Sequence, residues 1–161
     1  VRTRFAAEIL AQRPTVIRGN ASEVMALAGL AGGGRGVDSG AESTAARDAA
    51  RTLARQTGGA VLVTGQTDYA IDATREVATA NGHILMTRVT GVGCAMGAIN
   101  AACLAAADSP LAACTATAVL LGIAGERAAA VTARPGSFAV ALLDALDALD
   151  ADSVLTHGRL R

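Results

Sequence analysis

Apolar residues fall into two patterns along this chain: helical spacing near both ends, and short continuous runs in the middle. Residues 4–12 carry Phe5, Ile9 and Leu10 at helical spacing, and Pro14 then turns the chain into the extended run Thr15-Val16-Ile17. Asn20 follows that strand and can cap a helix running to about Ala28, where Gly29 is a natural stop. A glycine-rich loop over residues 32–40 leads into a polar-faced helix over 42–56. Ala60-Val61-Leu62-Val63-Thr64 is a continuous apolar strand of the type buried on both faces of a parallel sheet. Residues 69–72, 76–80 and 83–86 read as short antiparallel strands, with Asn81-Gly82 as a hairpin turn. Helices are expected over 94–106, 111–130 and 137–149, and the weakly periodic residues 151–161 as a loosely ordered tail.

Strands alternating with helices predict a single α/β domain over residues 1–161, built as a sandwich on a mainly parallel sheet. The inventory is unbalanced, because about two central strands and a hairpin must support some six helices. A parallel sheet needs both faces covered and its edges protected, so part of the sheet is expected to be missing. The expectation is therefore the C-terminal part of a larger domain, and the start at Val1 rather than Met fits it.

With 52% hydrophobic residues in 161, the chain can bury a real core. The 14 basic residues, all arginine, balance 14 acidic ones, so no overall field recruits nucleic acid or an anionic membrane. A small molecule is the expected partner. Cys94, Cys103 and Cys114 are odd in number and lack the close pairing of a structural zinc site, which suits a reducing, cytoplasmic setting. The apolar stretch from Cys94 to Gly125 is interrupted at Asp108-Ser109-Pro110, which predicts two buried helices rather than a membrane span.

The strongest chemical signal is Val89-Thr90-Gly91-Val92-Gly93-Cys94, where a glycine-rich turn opens a helix of small residues. First-turn amides have no intrahelical partners and sit at the positive end of the dipole, so they can take a phosphate or developing negative charge. A helix start also activates a thiol, although a small residue at a turn is an equally simple account of Cys94. Asn20 and Glu23 stand three apart at a helix start, as oxygen ligands of hydrated magnesium or as an ordinary capping box. Arg18 and Thr64 fall at carboxyl ends of strands, where open α/β sheets bind ligands and such side chains contact phosphate.

Other features carry less. Gly32-Gly33-Gly34-Arg35-Gly36 lacks the Gly-Lys-Ser/Thr of a phosphate-binding loop, and Gly36-Val37-Asp38-Ser39 is a turn over a nucleotide or a plain connection. His83 and His157 have no acidic partner at suggestive spacing, and Glu126 reads as a cap, an arginine partner or a solvent-facing residue.

Taken together, Thr15-Val16-Ile17-Arg18-Gly19-Asn20-Ala21-Ser22-Glu23, Gly36-Val37-Asp38-Ser39, Val63-Thr64-Gly65, Asn81-Gly82-His83, the run from Val89 to Cys94 and Pro135-Gly136-Ser137-Phe138 resemble the hydroxyethylthiazole kinase family in order and spacing. The resemblance implies a ribokinase-like three-layer sandwich and ATP-dependent, magnesium-assisted phosphorylation of 4-methyl-5-(2-hydroxyethyl)thiazole in thiamine salvage. It places Arg18, Thr64 and Asn20 at ATP, Gly91 at the thiazole and Glu23 at the magnesium ion. Cys94 stands where most ribokinase-like enzymes carry an aspartate base, so its implied role is to assist beside the amides of Gly91 to Cys94. A homotrimer with active sites between subunits is also implied. The family's N-terminal half has no counterpart here, so the isolated chain is expected to fold poorly or to lack activity. Another ribokinase-like kinase and a non-catalytic nucleotide-binding remnant are the competing readings, with a redox-sensing Cys94 further behind.

Overall fold

A computed structural model describes residues 2–29 and 39–161. Its order is α1 (Arg2–Leu10), β1 (Val16–Asn20), α2 (Ala21–Leu27), α3 (Ser39–Thr57), β2 (Ala60–Thr64), β3 (Asp68–Ile71), β4 (Glu76–Thr79), a short 3-10 helix (Ile84–Arg88), α4 (Val92–Ala106), α5 (Pro110–Val131), α6 (Pro135–Asp147) and α7 (Ala151–His157). The loop expected over residues 32–40, with its Gly36-Val37-Asp38 end, falls outside the described residues up to the start of α3.

The four strands form one sheet in the order β1-β2-β3-β4. β1 and β2 are parallel and set Arg18 opposite Leu62 and Asn20 opposite Thr64. β2 with β3 and β3 with β4 are antiparallel. The sheet is therefore mixed, not mainly parallel as expected. The reason is connection length: a few residues join β2 to β3 and β3 to β4, and only a long crossover through helices permits a parallel neighbour.

Strand alternation divides the core. Ala60, Leu62 and Ala70 face a layer containing α5, whereas Val61, Val63 and Ile71 face α3 and Val24 of α2. Helices thus cover both sheet faces. α5 is the central helix of its layer, contacting β2, β3 and β4 as well as both α4 and α6. Among the described residues it alone is long and apolar enough to cross a membrane by length and composition, and here it forms the core. The two apolar helices expected to be buried differ: α5 is buried along much of its length, whereas α4 buries only Met96 and Asn100. At the start of the chain, Phe5 and Ile9 are exposed and Leu10 is the member of that apolar set that reaches the core. Glu76 of β4 pairs with Arg47 and Arg51 of α3, and the Arg47 guanidinium lies 4.9 Å from the centre of the Tyr69 ring.

Two local expectations change. Residues 83–86 are not a strand: the His83 imidazole accepts the Leu85 N–H at 3.2 Å and opens the 3-10 turn. Residues 151–161, expected to be loosely ordered, contain α7 and then pair with β4, where Ala78 and Arg161 exchange backbone bonds at 3.0 and 2.9 Å. The tail is fastened through Asn81, which is 5% exposed. Its amide donates to the His157 carbonyl at 2.9 Å and accepts the Arg159 N–H at 2.7 Å. Glu126 of α5 completes the anchor, pairing with the Arg159 guanidinium and accepting the Gly82 N–H at 2.7 Å.

Because this anchor is polar and largely enclosed, Asn81→Ala is expected to remove about 1–3 kcal/mol of stability. The check is chemical unfolding combined with amide hydrogen exchange at Arg159 and Arg161, where protection should fall more than in β2. Uniform protection across the sheet and tail would show that the tail is held by something else.

Candidate functional site

The carboxyl ends of β1 and β2 lie side by side because these strands are parallel, and the start of α4 comes against them. Arg18 donates through Nη2 to Thr64 Oγ1 at 3.2 Å, and Thr64 donates onward to the Gly19 carbonyl at 3.4 Å. A methyl group added at Gly93 would lie 2.8 Å from Arg18 Nη1, so the missing side chain is what lets the guanidinium rest on the first turn of α4. Gly91 is the N-cap of that helix with φ +96°, a left-handed conformation that strongly favours glycine. No side chain caps α4, so its first-turn amides keep their capacity for an anion beside an arginine.

These groups open onto a cleft of about 700 Å³. Arg18, Thr64 and Gly93 line it together with the polar residues Asp68 and Asn81 and with Gly82. Met86, Val89, Val92 and Met96 supply an apolar portion. A smaller recess of about 470 Å³ shares Asn20, Thr64 and Gly65 with the cleft and extends towards Ser43 and Tyr69. The arrangement combines a cation, a hydroxyl and backbone donors with an apolar surface, which suits a phosphate-bearing organic ligand.

Not every residue read from the sequence meets there. Arg18, Asn20, Thr64 and Gly93 line the cleft, while Gly91 and Cys94 flank Val92 and Gly93 without lining it. Cys94 is the third residue of α4 and exposed. Asn20 and Glu23 form a capping box: Asn20 Oδ1 accepts the Glu23 N–H at 2.9 Å and Glu23 Oε2 accepts the Asn20 N–H at 2.8 Å. Asn20 Oδ1 also accepts from Ser22 Oγ at 2.8 Å, so this amide oxygen is committed to the helix start. Glu23 keeps Oε1 without a protein partner among the described residues. One free carboxylate oxygen fits a magnesium ion held mainly by water and phosphate. It does not make a self-sufficient metal site, and no group of three or more metal-binding side chains occurs among the described residues. Cys114 is a core residue whose thiol is pushed up to about 11 by burial, with the Asn100 amide 3.7 Å away.

Asp68 and Asn81 were not singled out as site residues by sequence reasoning. Asn81 was legible as a turn residue and as part of the Asn81-Gly82-His83 motif, without a site role, and Glu126 only as a cap, an arginine partner or a solvent-facing residue. Asp68 had a faint signal, since a glycine three residues before an aspartate suits a turn closed by the carboxylate. Its Oδ1 does accept the Gly65 N–H at 2.9 Å. Burial pushes the Asp68 carboxyl up to about 6 from 3.8, against the opposing pull of the Gly65 bond and the Arg18 charge.

Two outcomes test this geometry. Gly93→Ala meets only the end of a flexible side chain, so the fold should lose less than about 1 kcal/mol. The displaced guanidinium should nevertheless weaken binding of inorganic tripolyphosphate by about tenfold, read by calorimetry. Unchanged affinity would detach Gly93 from the anion site. For Asp68 the direction with pH is fixed by its raised value. Between about pH 4 and pH 6 the folded chain holds a proton the unfolded chain has released, so stability falls as pH rises through that window. At ~1.4 kcal/mol per pH unit, the penalty above that window approaches about 3 kcal/mol. Asp68→Asn can keep the bond from Gly65 without the charge and should therefore gain about 1–3 kcal/mol at pH 7.5. Urea unfolding at pH 4.5 and 7.5 measures it, and equal stability of the two proteins at both values would contradict the assignment.

Comparison with known proteins agrees with this architecture. The sequence pattern of the hydroxyethylthiazole kinase family matches residues 1–152. A protein named hydroxyethylthiazole kinase from Akkermansia muciniphila is 54% identical over 159 residues, covering 99% of this chain and 59% of its own length. One of the same name from Kineococcus radiotolerans is 55% identical over 163 residues, with 99% and 59% covered. The structure of the hydroxyethylthiazole kinase protein from Pyrococcus horikoshii OT3 superposes with a TM-score of 0.86 at 38% identity, covering 99% of this chain and 59% of that one. The chain therefore spans about 59% of the length of these relatives. With that match over nearly its whole length, the chain belongs to the hydroxyethylthiazole kinase family.

Proposed function

We propose that this chain is the nucleotide-binding portion of a cytoplasmic enzyme that transfers the γ-phosphoryl group of ATP to the hydroxyl of 4-methyl-5-(2-hydroxyethyl)thiazole, in thiamine salvage. The observation that carries this reading is the meeting of Arg18, Thr64 and Gly93 at the uncapped start of α4. The family name points to the acceptor alcohol, and a ribokinase-like three-layer arrangement and a homotrimer are part of the same proposal.

In the proposed reaction the alcohol oxygen attacks the γ-phosphorus while the bond to the bridging oxygen breaks, and that oxygen leaves with the electron pair as part of ADP. Arg18 and the Thr64 hydroxyl hold the phosphates, and the amides of Gly91 to Cys94 stabilise charge on the transferring group. Such transfers draw most of their acceleration from positioning and charge neutralisation. Cys94 Sγ, on the first turn of α4, takes the hydroxyl proton in an assisting role once substrate is bound. Magnesium, when bound, supplies further charge neutralisation at the phosphates, and Glu23 would hold it through its free oxygen.

ADP release should depend on the thiazole alcohol, with hydroxymethylpyrimidine serving poorly as acceptor. Preference for the pyrimidine would assign another kinase of the same fold, and magnesium-ATP binding without release to either alcohol would leave a nucleotide-binding remnant. Within an active enzyme, Cys94→Ala should lower kcat by about 10- to 100-fold, less than Arg18→Ala lowers kcat/KM. A larger effect at Cys94 than at Arg18 would make the thiol central.

A further inference from the structure

Only half of the Asp68 carboxylate is used by the protein. The residue is 9% exposed and lines the cleft, and Oδ1 closes the turn between β2 and β3 by accepting the Gly65 N–H. Oδ2 has no protein partner among the described residues. It is not sealed away either, because Arg47 Nε and Thr79 Oγ1 are the fully enclosed, unpartnered side-chain atoms among them. Oδ2 therefore opens onto the cleft as an acceptor within a nearly buried residue.

The turn does not explain that oxygen. One acceptor suffices for the Gly65 N–H, and an asparagine would supply it without burying charge. The matching donor is then expected to arrive with a ligand. Arg18 and the α4 amides define the anion end of this cleft, and Asp68 shares the cleft with them. Nucleotides carry hydroxyl donors a few bonds from their phosphates, and an acidic side chain accepting from a ribose hydroxyl is a recurrent device of open α/β nucleotide sites. A directly held metal fits less well, since the Arg18 charge is felt at Asp68 and no group of three or more metal-binding side chains occurs among the described residues.

We propose that Asp68 Oδ2 accepts a hydrogen bond from a sugar hydroxyl of the bound ribonucleotide, which makes Asp68 a determinant of the nucleotide's sugar. The inference rests on the nucleotide-binding reading above and adds a contact to it.

Calorimetric binding to the 161-residue chain separates the two. The probes are ATP, 2′-deoxy-ATP, 3′-deoxy-ATP and inorganic tripolyphosphate, each with magnesium and with EDTA. The expected result is at least about tenfold preference for ATP over one of the two deoxynucleotides. Asp68→Asn should abolish that preference by weakening ATP alone, leaving tripolyphosphate and the disfavoured deoxynucleotide unchanged; its thermal unfolding shows whether it is folded. Equal weakening of ATP and tripolyphosphate would overturn the sugar contact, as would an effect confined to the magnesium samples, which would make Asp68 a metal ligand. Tripolyphosphate binding that is lost in Arg18→Ala but shows no sugar preference with the nucleotides would sink this inference and spare the anion site. Failure of a wild-type chain that unfolds cooperatively to bind any probe would sink both.

Discussion

The parallel register of β1 against β2 governs the rest of the site. It sets Asn20 beside Thr64 and brings both strand ends to one edge of the sheet, where Arg18 reaches the Thr64 hydroxyl. A slip of one residue would turn Arg18 to the opposite face and move the apolar residues of β2 out of their two cores. The continuous burial of Ala60, Val61, Leu62 and Val63 opposes such a slip, because both faces of β2 are packed. Stability of the sheet and placement of the anion-binding groups therefore have a common cause.

The part of the lining formed by Asn81 and Gly82 depends on a polar anchor instead of apolar packing. Glu126 projects from the buried helix α5 and gathers the Gly82 N–H, the Asn81 amide and the Arg159 guanidinium. These groups belong to the turn after β4 and to the residues after α7, so a single carboxylate fixes both segments against α5. The short antiparallel return through β3 and β4 brings Asn81 to this point. The same return, read from the sequence as antiparallel strands, makes up enough of the sheet that it is mixed and not mainly parallel.

Rigidity and chemical availability are divided between neighbouring groups. In the capping box, Asn20 is committed to forming α2, whereas the α4 amides are left uncapped and Asp68 keeps one oxygen free. An unpaired buried carboxylate opposes folding, and a helix start without a side-chain cap forgoes a common source of stability. Both departures from local optimisation occur along the same cleft. Proteins tolerate such departures where a ligand supplies the missing partner.

By itself the sequence determined the helix starts and stops, the apolar strand over Ala60–Thr64, the special turn before α4 and the joint motifs that mark the family. These follow from local rules: proline fixes the backbone, glycine permits the left-handed turn, and apolar spacing reveals the period. The Arg18 and Thr64 positions were also legible, because strand-end residues in α/β sheets face ligand clefts. The antiparallel strands over 69–72 and 76–80 were legible as well, but the fastening of the tail by Arg159 and the exposure of α4 were not. Only the tertiary structure decided those features, and with them the free oxygen of Asp68, because pairing and burial depend on residues distant in sequence. Asn81 and Arg159 meet 78 positions apart, a distance at which local propensity carries no information.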